Sequence, residues 1–338
     1  MAHYGVIADD LTGALDAGAG FAAAALRAAL PFSGDPVDVP DADVVLINTG
    51  TREGSAAEAY SRTREAAERL KRAGIERVYK KIDSVLRGHP GPELTAVLDV
   101  FRGRALAAPA FPAQGRVTRD GVQYAFGKPV EPFGGFLRDA LESAASRADV
   151  RDAASEEDLA RIAESAAENA AYRVWCGTAG LAKQAPAALG LVPRGTVPRL
   201  PVAQRVLVLA GTGHPVTNAQ LDALQAAALP GVQALVEGRE YWSRGEPPSS
   251  VREVLEQAAR GIDLASSPAL VMTGGETAQI VCQALGARSI EVVDEALPGI
   301  PLGLLDVGGR MTPVATKSGG FGAPDALVRT CERLLGRR

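Results

Sequence analysis

The stretch GVIADDLTGALDAG, Gly5 to Gly18, places two adjacent aspartates between a hydrophobic run and a helical segment. The run reads as a buried strand, so Asp9 and Asp10 are predicted to lie at a strand-to-helix turn. Adjacent carboxylates repel each other, and such a pair needs a cation, a positive helix end or open solvent. The stretch therefore predicts an α/β unit and raises the question of what balances the two charges.

The same order of strand, turn and helix recurs along the chain. ADVVLINTGTRE leads to a helix of about 56–74, IERVYKKI leads to a helix from about Pro92, and AASEEDLARIAESAAENA is a helix followed by the strand YRVWC. The alanine-rich run Ala19–Ala29 also reads as a helix. This alternation predicts an α/β fold with mostly parallel sheets flanked by helices.

A stretch without periodicity divides the chain. Prolines cluster between Gly190 and Gln204, which is typical of a linker, and the strand-turn-helix order resumes at RVLVLAGTGHPVTNAQ. Thr217 and Gln220 have the spacing of a capping box at a helix start. The sequence thus predicts two α/β domains, 1–198 and 199–338.

Composition and charge exclude several function classes. The chain is 46% hydrophobic and 22% charged, with a net charge of −4, so it has no electrostatic footprint for nucleic acid. Its three cysteines lack metal-site spacing and are expected to be buried free thiols. The N-terminus resembles no signal peptide and no run is long enough for a membrane span, which predicts a cytoplasmic protein without a membrane partner. The sequence does not decide whether the protein is a homo-oligomer.

Polar and charged residues follow the strands of the first half. In a parallel sheet, ligands bind outside the carboxyl ends of the strands, so these residues are expected to lie together. Carboxylates that accept protons, mixed with cations that hold a carboxylate, suit a small polyhydroxylated anion. The residues are Asp9, Asp10, Arg52, Lys81, Asp83, Ser84 and Arg87.

The strand ends of the second half carry glycines instead. Glycine lets backbone N–H groups approach a phosphate, and the following helix N-terminus adds positive charge. The turns are GTG at Gly211–Gly213, GGET at Gly274–Thr277 and SGGFG at Ser318–Gly322, with His214 beside the first. None fits a standard nucleotide motif, yet three such turns in one domain predict nucleotide binding.

One interpretation of the aspartate pair is a phosphatase of the haloacid dehalogenase type. Such an enzyme carries a nucleophilic aspartate and a second, acidic aspartate two residues later. Asp9 and Asp10 are adjacent instead, and Leu11 occupies the place of the second acid. Because side chains alternate in direction along a strand, adjacent residues do not suit two roles on one phosphate.

Seven short blocks, in chain order, resemble the four-carbon acid sugar kinase family, which includes threonate, erythronate and 3-oxo-tetronate kinases. They are IADDLTGALDAG, YKKIDSVLRGHPGPEL, APAFPAQGRVTRDG, LAGTGHPVTNAQ, MTGGETA, LPGIPLG and TKSGGFG, and they run from about Gly5 to about Leu327. The resemblance implies an N-terminal domain for the sugar acid and a C-terminal domain for ATP. It also implies phosphoryl transfer in the cleft between them, with Mg²⁺ bound to ATP and no metal ligand assigned to the protein.

The resemblance also assigns roles to residues. Asp10, Asp83 and Arg87 are implied to be catalytic, and the substrate site takes Asp9, Arg52, Lys81, Ser84 and Gly88. The ATP site takes Gly211, Thr212, His214, Gly274, Gly275, Glu276, Thr277, Gly319, Gly320, Phe321 and Gly322.

From these roles we expect Arg87 and Arg52 to bind the substrate carboxylate or the transferred group, with Lys81 adding charge. Asp83 or Asp10 would accept the proton of the reacting hydroxyl. Asp10 is expected to face the site, and Asp9 to turn toward a helix end or solvent. A catalytically silent relative that only binds a sugar acid or a partner protein is the other alternative, since the chain is short for the family and departs from it at Val85 and His214.

Overall fold

The chain folds into two compact units, Met1–Val197 and Pro198–Arg338. The computed structural model describes residues 4–32, 41–131, 134–239, 241 and 248–337. The boundary between the units lies inside the proline-rich stretch predicted as a linker. Each unit has its own set of strands and its own buried core.

The main sheet of the first unit is parallel throughout its described strands. Its strand order is β2-β3-β1-β4-β10-β5-β9. Buried valine, isoleucine and leucine side chains fill the strands because helices cover the sheet. The strands are β1 (Tyr4–Ala8), β2 (Ala28–Pro31), β3 (Val44–Asn48), β4 (Val78–Lys81), β5 (Arg104–Ala108), β9 (Ala148–Val150) and β10 (Tyr172–Gly177). A small antiparallel sheet holds β6 (Arg116–Arg119), β7 (Val122–Ala125) and β8 (Lys128–Pro129).

The helices of this unit follow the predicted order. Ser55 and Glu58 form a reciprocal capping box at the start of the helix predicted over 56–74, which ends at Arg72. The next predicted helix begins at Pro90, two residues before the expected start. The helices are α1 (Leu11–Ala22), α2 (Ala56–Arg72), α3 (Pro90–Phe101), α4 (Leu137–Leu141), α5 (Glu156–Ala167) and α6 (Ala179–Ala188).

The prediction that Ala19–Ala29 is one helix is wrong. Helix α1 ends at Ala22, and Ala28 already belongs to strand β2. The Leu26 N–H bonds back to the Phe21 carbonyl while Ala25 takes a left-handed φ of 62°, which is the geometry of a helix C-terminus that turns back. Burial in the sheet overrides the helix propensity of alanine here.

The second unit has a mixed sheet in the order β12-β11-β13-β16-β15-β14. The first four strands pair in parallel and the last pairings are antiparallel. The strands are β11 (Arg205–Ala210), β12 (Val232–Glu237), β13 (Pro268–Thr273), β14 (Ala287–Leu297), β15 (Ile300–Val307) and β16 (Arg310–Lys317). The helices are α7 (Pro215–Ala227), α8 (Pro248–Arg260), α9 (Gly275–Ala284) and α10 (Ala326–Leu334).

The state of the cysteines and the length of the apolar helices bear on two expectations from the sequence. Cys176, Cys282 and Cys331 are free and buried, as predicted. In the described ranges, no helix is both long enough and apolar enough to cross a membrane.

Candidate active site

Asp10 caps the first helix of the chain. Its Oδ1 accepts a hydrogen bond from the Gly13 N–H at 2.9 Å, and its Oδ2 accepts one from the Thr12 hydroxyl at 2.6 Å. The glycine is required because a Cβ there would lie 2.4 Å from Asp10 Oδ1 and 3.3 Å from Lys81 Nζ. The helix N-terminus therefore supplies one part of the charge balance that the aspartate pair needs.

Arg52 supplies the other part. Its Nε and Nη2 bond to both carboxylate oxygens of Asp9, at 2.7 and 2.8 Å, and Nη2 also bonds Asp10 Oδ1 at 2.7 Å. Burial raises the pKa of Asp9, but Arg52 and the nearby lysines outweigh burial and lower it below its usual range. One guanidinium thus bonds two adjacent carboxylates, and together with the helix N-terminus it offsets their charge.

The expectation that Asp9 turns toward a helix end or solvent is wrong. The Asp9 side chain is only 2% exposed and faces Arg52, while Asp10, at 14%, is the one at the helix end. The physical reason is that a buried carboxylate requires a bonded cation, and Arg52 reaches it from the turn after β3.

Asp83 and Arg87 form a second pair after β4. Asp83 Oδ1 accepts from the N–H groups of Val85 and Arg87, and its Oδ2 accepts from Arg87 Nη2 at 2.7 Å. Burial raises the pKa of Asp83, yet Arg52 and Arg87 overcome burial and hold it well below its usual range. The Arg52 guanidinium lies 3.8 Å from Asp83 Oδ2, which joins the two pairs into one cluster.

The remaining predicted substrate residues lie beside this cluster. Lys81 is buried, and its Nζ donates to the Ile82 carbonyl at 3.0 Å. Ser84 is also buried, and its carbonyl accepts from Gln123 Nε2 at 3.0 Å. Gly88 packs directly on Asp9 and Arg52. The structure therefore brings together all the strand-end residues predicted for the substrate.

Sequence reasoning missed the buried ion pair beneath the cluster. Lys80 Nζ lies 2.9 Å from Glu93 Oε2, and Glu93 Oε1 accepts from the Thr51 hydroxyl at 2.7 Å. The Thr51 N–H in turn donates to the Asp9 carbonyl at 3.0 Å. Burial raises the pKa of Glu93 while Lys80 opposes that rise. The two lysines of YKKI could have indicated this pair. Side chains of consecutive strand residues point to opposite faces of the sheet, so one lysine lies on each face.

Replacing Gly88 with alanine should lower turnover sharply, because a Cβ there would lie 3.0 Å from Asp9 Oδ2 and 3.6 Å from the Arg52 Cα. Gly88 also has a φ of +77°, which costs a non-glycine residue about 1–2 kcal/mol. Gly74→Ala is the matched control, since its φ is +81° but nothing lies within 4 Å of the new Cβ. Urea unfolding should show a similar backbone cost in both variants. If the Gly88→Ala and Gly74→Ala variants had equal kcat, the packing of Gly88 on Asp9 and Arg52 would not matter for turnover.

In the second unit, the Gly211–Gly213 turn leads from β11 into α7. His214 is the N-cap of this helix, and its Nδ1 accepts from the Val216 N–H at 3.2 Å. The Thr212 hydroxyl accepts from the His214 N–H at 3.2 Å. The predicted capping box of Thr217 and Gln220 is therefore wrong, because the N-cap is His214 and the helix begins at Pro215, two residues before Thr217.

The second glycine turn meets the first. Gly274 has a φ of +101° and precedes α9, whose Thr277 hydroxyl accepts from the Gly211 N–H at 3.2 Å. Gly275 is the first residue of that helix. Glu276 is mostly exposed and pairs with Arg252 at 3.1 Å.

The third turn lies against the first as well. A Cβ on Gly319 would meet the Thr212 hydroxyl and the His214 Cβ at 3.3 Å, and a Cβ on Gly320 would meet His214 Nε2 at 3.2 Å. Phe321 and Gly322 continue this turn, where Gly322 has a φ of +87°. Two helix N-termini and glycine backbone therefore gather in one place, which suits an anion such as a phosphate chain.

The fold and these two groups of residues define a two-domain α/β enzyme, and comparisons with known proteins agree. The model of a sugar-binding N-terminal domain matches residues 4–133, and that of a nucleotide-binding C-terminal domain matches residues 234–327. A D-threonate kinase of Bordetella bronchiseptica is 31% identical, over 99% of this chain and 98% of that protein. A D-erythronate kinase of Heliobacterium modesticaldum is 28% identical, over 99% and 98%. The chain belongs to the four-carbon acid sugar kinase family.

The same architecture occurs in a solved structure. A protein from Salmonella typhimurium LT2 superposes with a TM-score of 0.77, at 20% identity, over 98% of this chain and 99% of that chain. At this identity the likeness establishes the fold alone.

Proposed function

We propose that this chain transfers the γ-phosphoryl group of ATP to a hydroxyl, the terminal one, of a four-carbon sugar acid such as threonate, erythronate or 3-oxo-tetronate. The observation that carries the proposal is the cluster around Arg52, in which carboxylates and cations alternate at the strand ends of the first unit. The glycine turns that lie together in the second unit, and the family, support the same reaction.

Asp10 is the proposed general base. Asp9 has both oxygens bonded to Arg52 and a lowered pKa, and the pKa of Asp83 is strongly lowered, so both are weak bases. Asp10 is the most exposed of the three carboxylates. It is therefore the one best placed to orient an incoming hydroxyl and accept its proton.

Arg87 is the proposed partner of the substrate carboxylate. Its side chain is 55% exposed, whereas Arg52 is 11% exposed and already engaged by Asp9 and Asp10. We therefore propose that Arg52 holds the two aspartates in place. This role replaces the expected direct contact between Arg52 and the substrate. Arg87 donates to Asp83 through Nη2. Its Nε and Nη1 can therefore donate to a ligand carboxylate.

Mg²⁺ would enter with ATP. In the described part of the chain, no group of three or more histidine, cysteine, aspartate or glutamate side chains is arranged to hold a metal. Mg²⁺ bound to nucleotides needs only one or two protein carboxylates, since phosphate and water oxygens complete its shell. An ion carried by the nucleotide would neutralise charge on the phosphates.

The phosphatase interpretation finds no support in the site. Leu11, at the position of the second acid, is buried as the first residue of α1. Asp9, the candidate nucleophile, has both oxygens occupied by Arg52.

The test is ADP release in a coupled assay with ATP and Mg²⁺, across four-carbon sugar acids and with longer aldonates as controls. We expect turnover on at least one four-carbon acid and none on the longer acids. ATP binding without ADP release on any of the acids would favour the catalytically silent alternative. Release only with a longer aldonate would contradict the proposed substrate class.

A further inference from the structure

The loop 318–322 after β16 is held from inside by a buried lysine. Lys317 Nζ donates to the carbonyl oxygens of Ser318 at 2.8 Å, Gly319 at 3.1 Å and Phe321 at 3.2 Å. The Lys317 residue is fully buried. Burial lowers the pKa of Lys317 to about 7, and the carbonyl oxygens that accept from Nζ favour the charged form.

A buried glutamine holds the second half of the same loop. Gln220 Nε2 lies 3.0 Å from the Phe321 carbonyl oxygen, 3.1 Å from that of Gly322 and 2.9 Å from that of Ala323. Thr217, one turn earlier on α7, adds a hydroxyl that donates to the loop at 2.8 Å. The two residues that the sequence suggested as a capping box thus bind this loop instead.

These contacts fix the direction of the loop's N–H groups. In a trans peptide unit the C=O and the N–H point in opposite directions. Because the carbonyls of Ser318 and Gly319 point inward to Lys317, the N–H groups of Gly319 and Gly320 point outward. Neither N–H has a protein acceptor among the residues that the structure describes, and both glycines are partly exposed. Outward, unsatisfied N–H groups on glycine are what binds a phosphate chain.

We infer that Lys317 and Gln220 are positioning residues for the nucleotide phosphates, because they hold the carbonyls of loop 318–322 inward and thereby aim its N–H groups at the phosphates. The inference rests on the proposed function, since it assumes that the second unit binds ATP. Neither side chain has to touch the nucleotide, so the effect is on phosphate binding and not on recognition of the base.

The test compares ADP with adenosine, which lacks the phosphates, by calorimetric titration. Lys317→Met and Gln220→Leu each remove the inward donors, and we expect both to weaken ADP binding by about tenfold or more while adenosine binding stays within about twofold. Lys317→Arg keeps donors and charge and should recover part of the loss. In kinetics, KM for ATP should rise while KM for the sugar acid stays unchanged.

Thr330→Val is the matched control, because Thr330 is buried in the same unit and its hydroxyl donates to the Ala326 carbonyl of its own helix and not to loop 318–322. If Lys317→Met fails to fold, Gln220→Leu decides the question. ADP affinity within twofold of wild type in the folded variants would overturn the inference, as would an equal loss of ADP and adenosine affinity. A wild-type chain that binds no ADP would contradict the proposed function itself, so the two failures are distinguishable.

Discussion

Replacing Asp10 with asparagine should lower kcat by about a thousandfold and change the free energy of unfolding by less than about 1 kcal/mol. Asparagine still accepts a hydrogen bond from Gly13 and remains a good N-cap, but its amide oxygen cannot accept the hydroxyl proton. The kcat comes from coupled ADP release, and the stability from urea unfolding at pH 7. Loss of catalysis without loss of stability would show that Asp10 serves the reaction and not the fold.

Asp9→Asn is the contrasting variant. Asp9 is buried, and both of its oxygens bond to Arg52, so we expect a loss of about 2–3 kcal/mol of stability from the weakened ion pair. If Asp10→Asn kept kcat within threefold while a folded Asp9→Asn protein had no turnover, Asp9 and not Asp10 would be the base.

Replacing Arg52 with lysine should lower kcat at least a hundredfold and cost about 3 kcal/mol of stability at pH 7. A lysine ammonium lacks the planar fork that bonds both oxygens of Asp9 and also reaches Asp10. The adjacent carboxylates would then repel each other in a buried site. We expect this repulsion to displace Asp10, so that the proposed general base no longer reaches the hydroxyl.

The stability loss in Arg52→Lys should shrink in acid. In the wild-type protein the pKa of Asp9 is lowered, so its contribution to stability is present above the unfolded pKa and is lost only as pH falls through the lower folded value. In the variant the weaker pairing would lower the pKa of Asp9 less, so protonation of Asp9 relieves its repulsion with Asp10 at a higher pH than in the wild-type protein. Urea unfolding at pH 7 and pH 4.5 should therefore give a smaller difference between the proteins at pH 4.5.

Arg62→Lys controls for the substitution itself. Arg62 lies on α2, is more than half exposed, and only approaches Glu58 at 4.0 Å, so we expect no change in kcat. An Arg52→Lys enzyme as active and as stable as the Arg62→Lys enzyme would mean that Arg52 does not hold the two aspartates.

The sequence predicted where the candidate site lies because strand ends are readable from local patterns. Hydrophobic runs followed by polar residues locate the carboxyl edge of a parallel sheet, and Asp10, Asp83 and Arg87 were found in this way. The glycine turns of the second unit were located by the same pattern. Neighbouring residues are enough to locate this edge, and ligands of parallel α/β sheets bind there.

The pairings within the site could not be predicted, because they join residues far apart in the chain. Arg52 is more than forty positions from Asp9, and nothing local shows that one guanidinium serves both aspartates. The Lys80–Glu93 pair crosses from a strand to a helix. Gln220 was assigned to a local cap, whereas its amide bonds a loop about a hundred residues away. For Gln220, local spacing favoured the nearer partner, Thr217.

The identity of the phosphorylated product tests phosphoryl transfer to the sugar acid most directly. The chain would be incubated with ATP, Mg²⁺ and a four-carbon acid that supports ADP release, and the product followed by ³¹P and ¹³C NMR. We predict a phosphomonoester whose phosphorus couples to the terminal carbon, formed in equal amount to ADP. Release of ADP with inorganic phosphate, and no phosphorylated acid, would contradict phosphoryl transfer to the substrate.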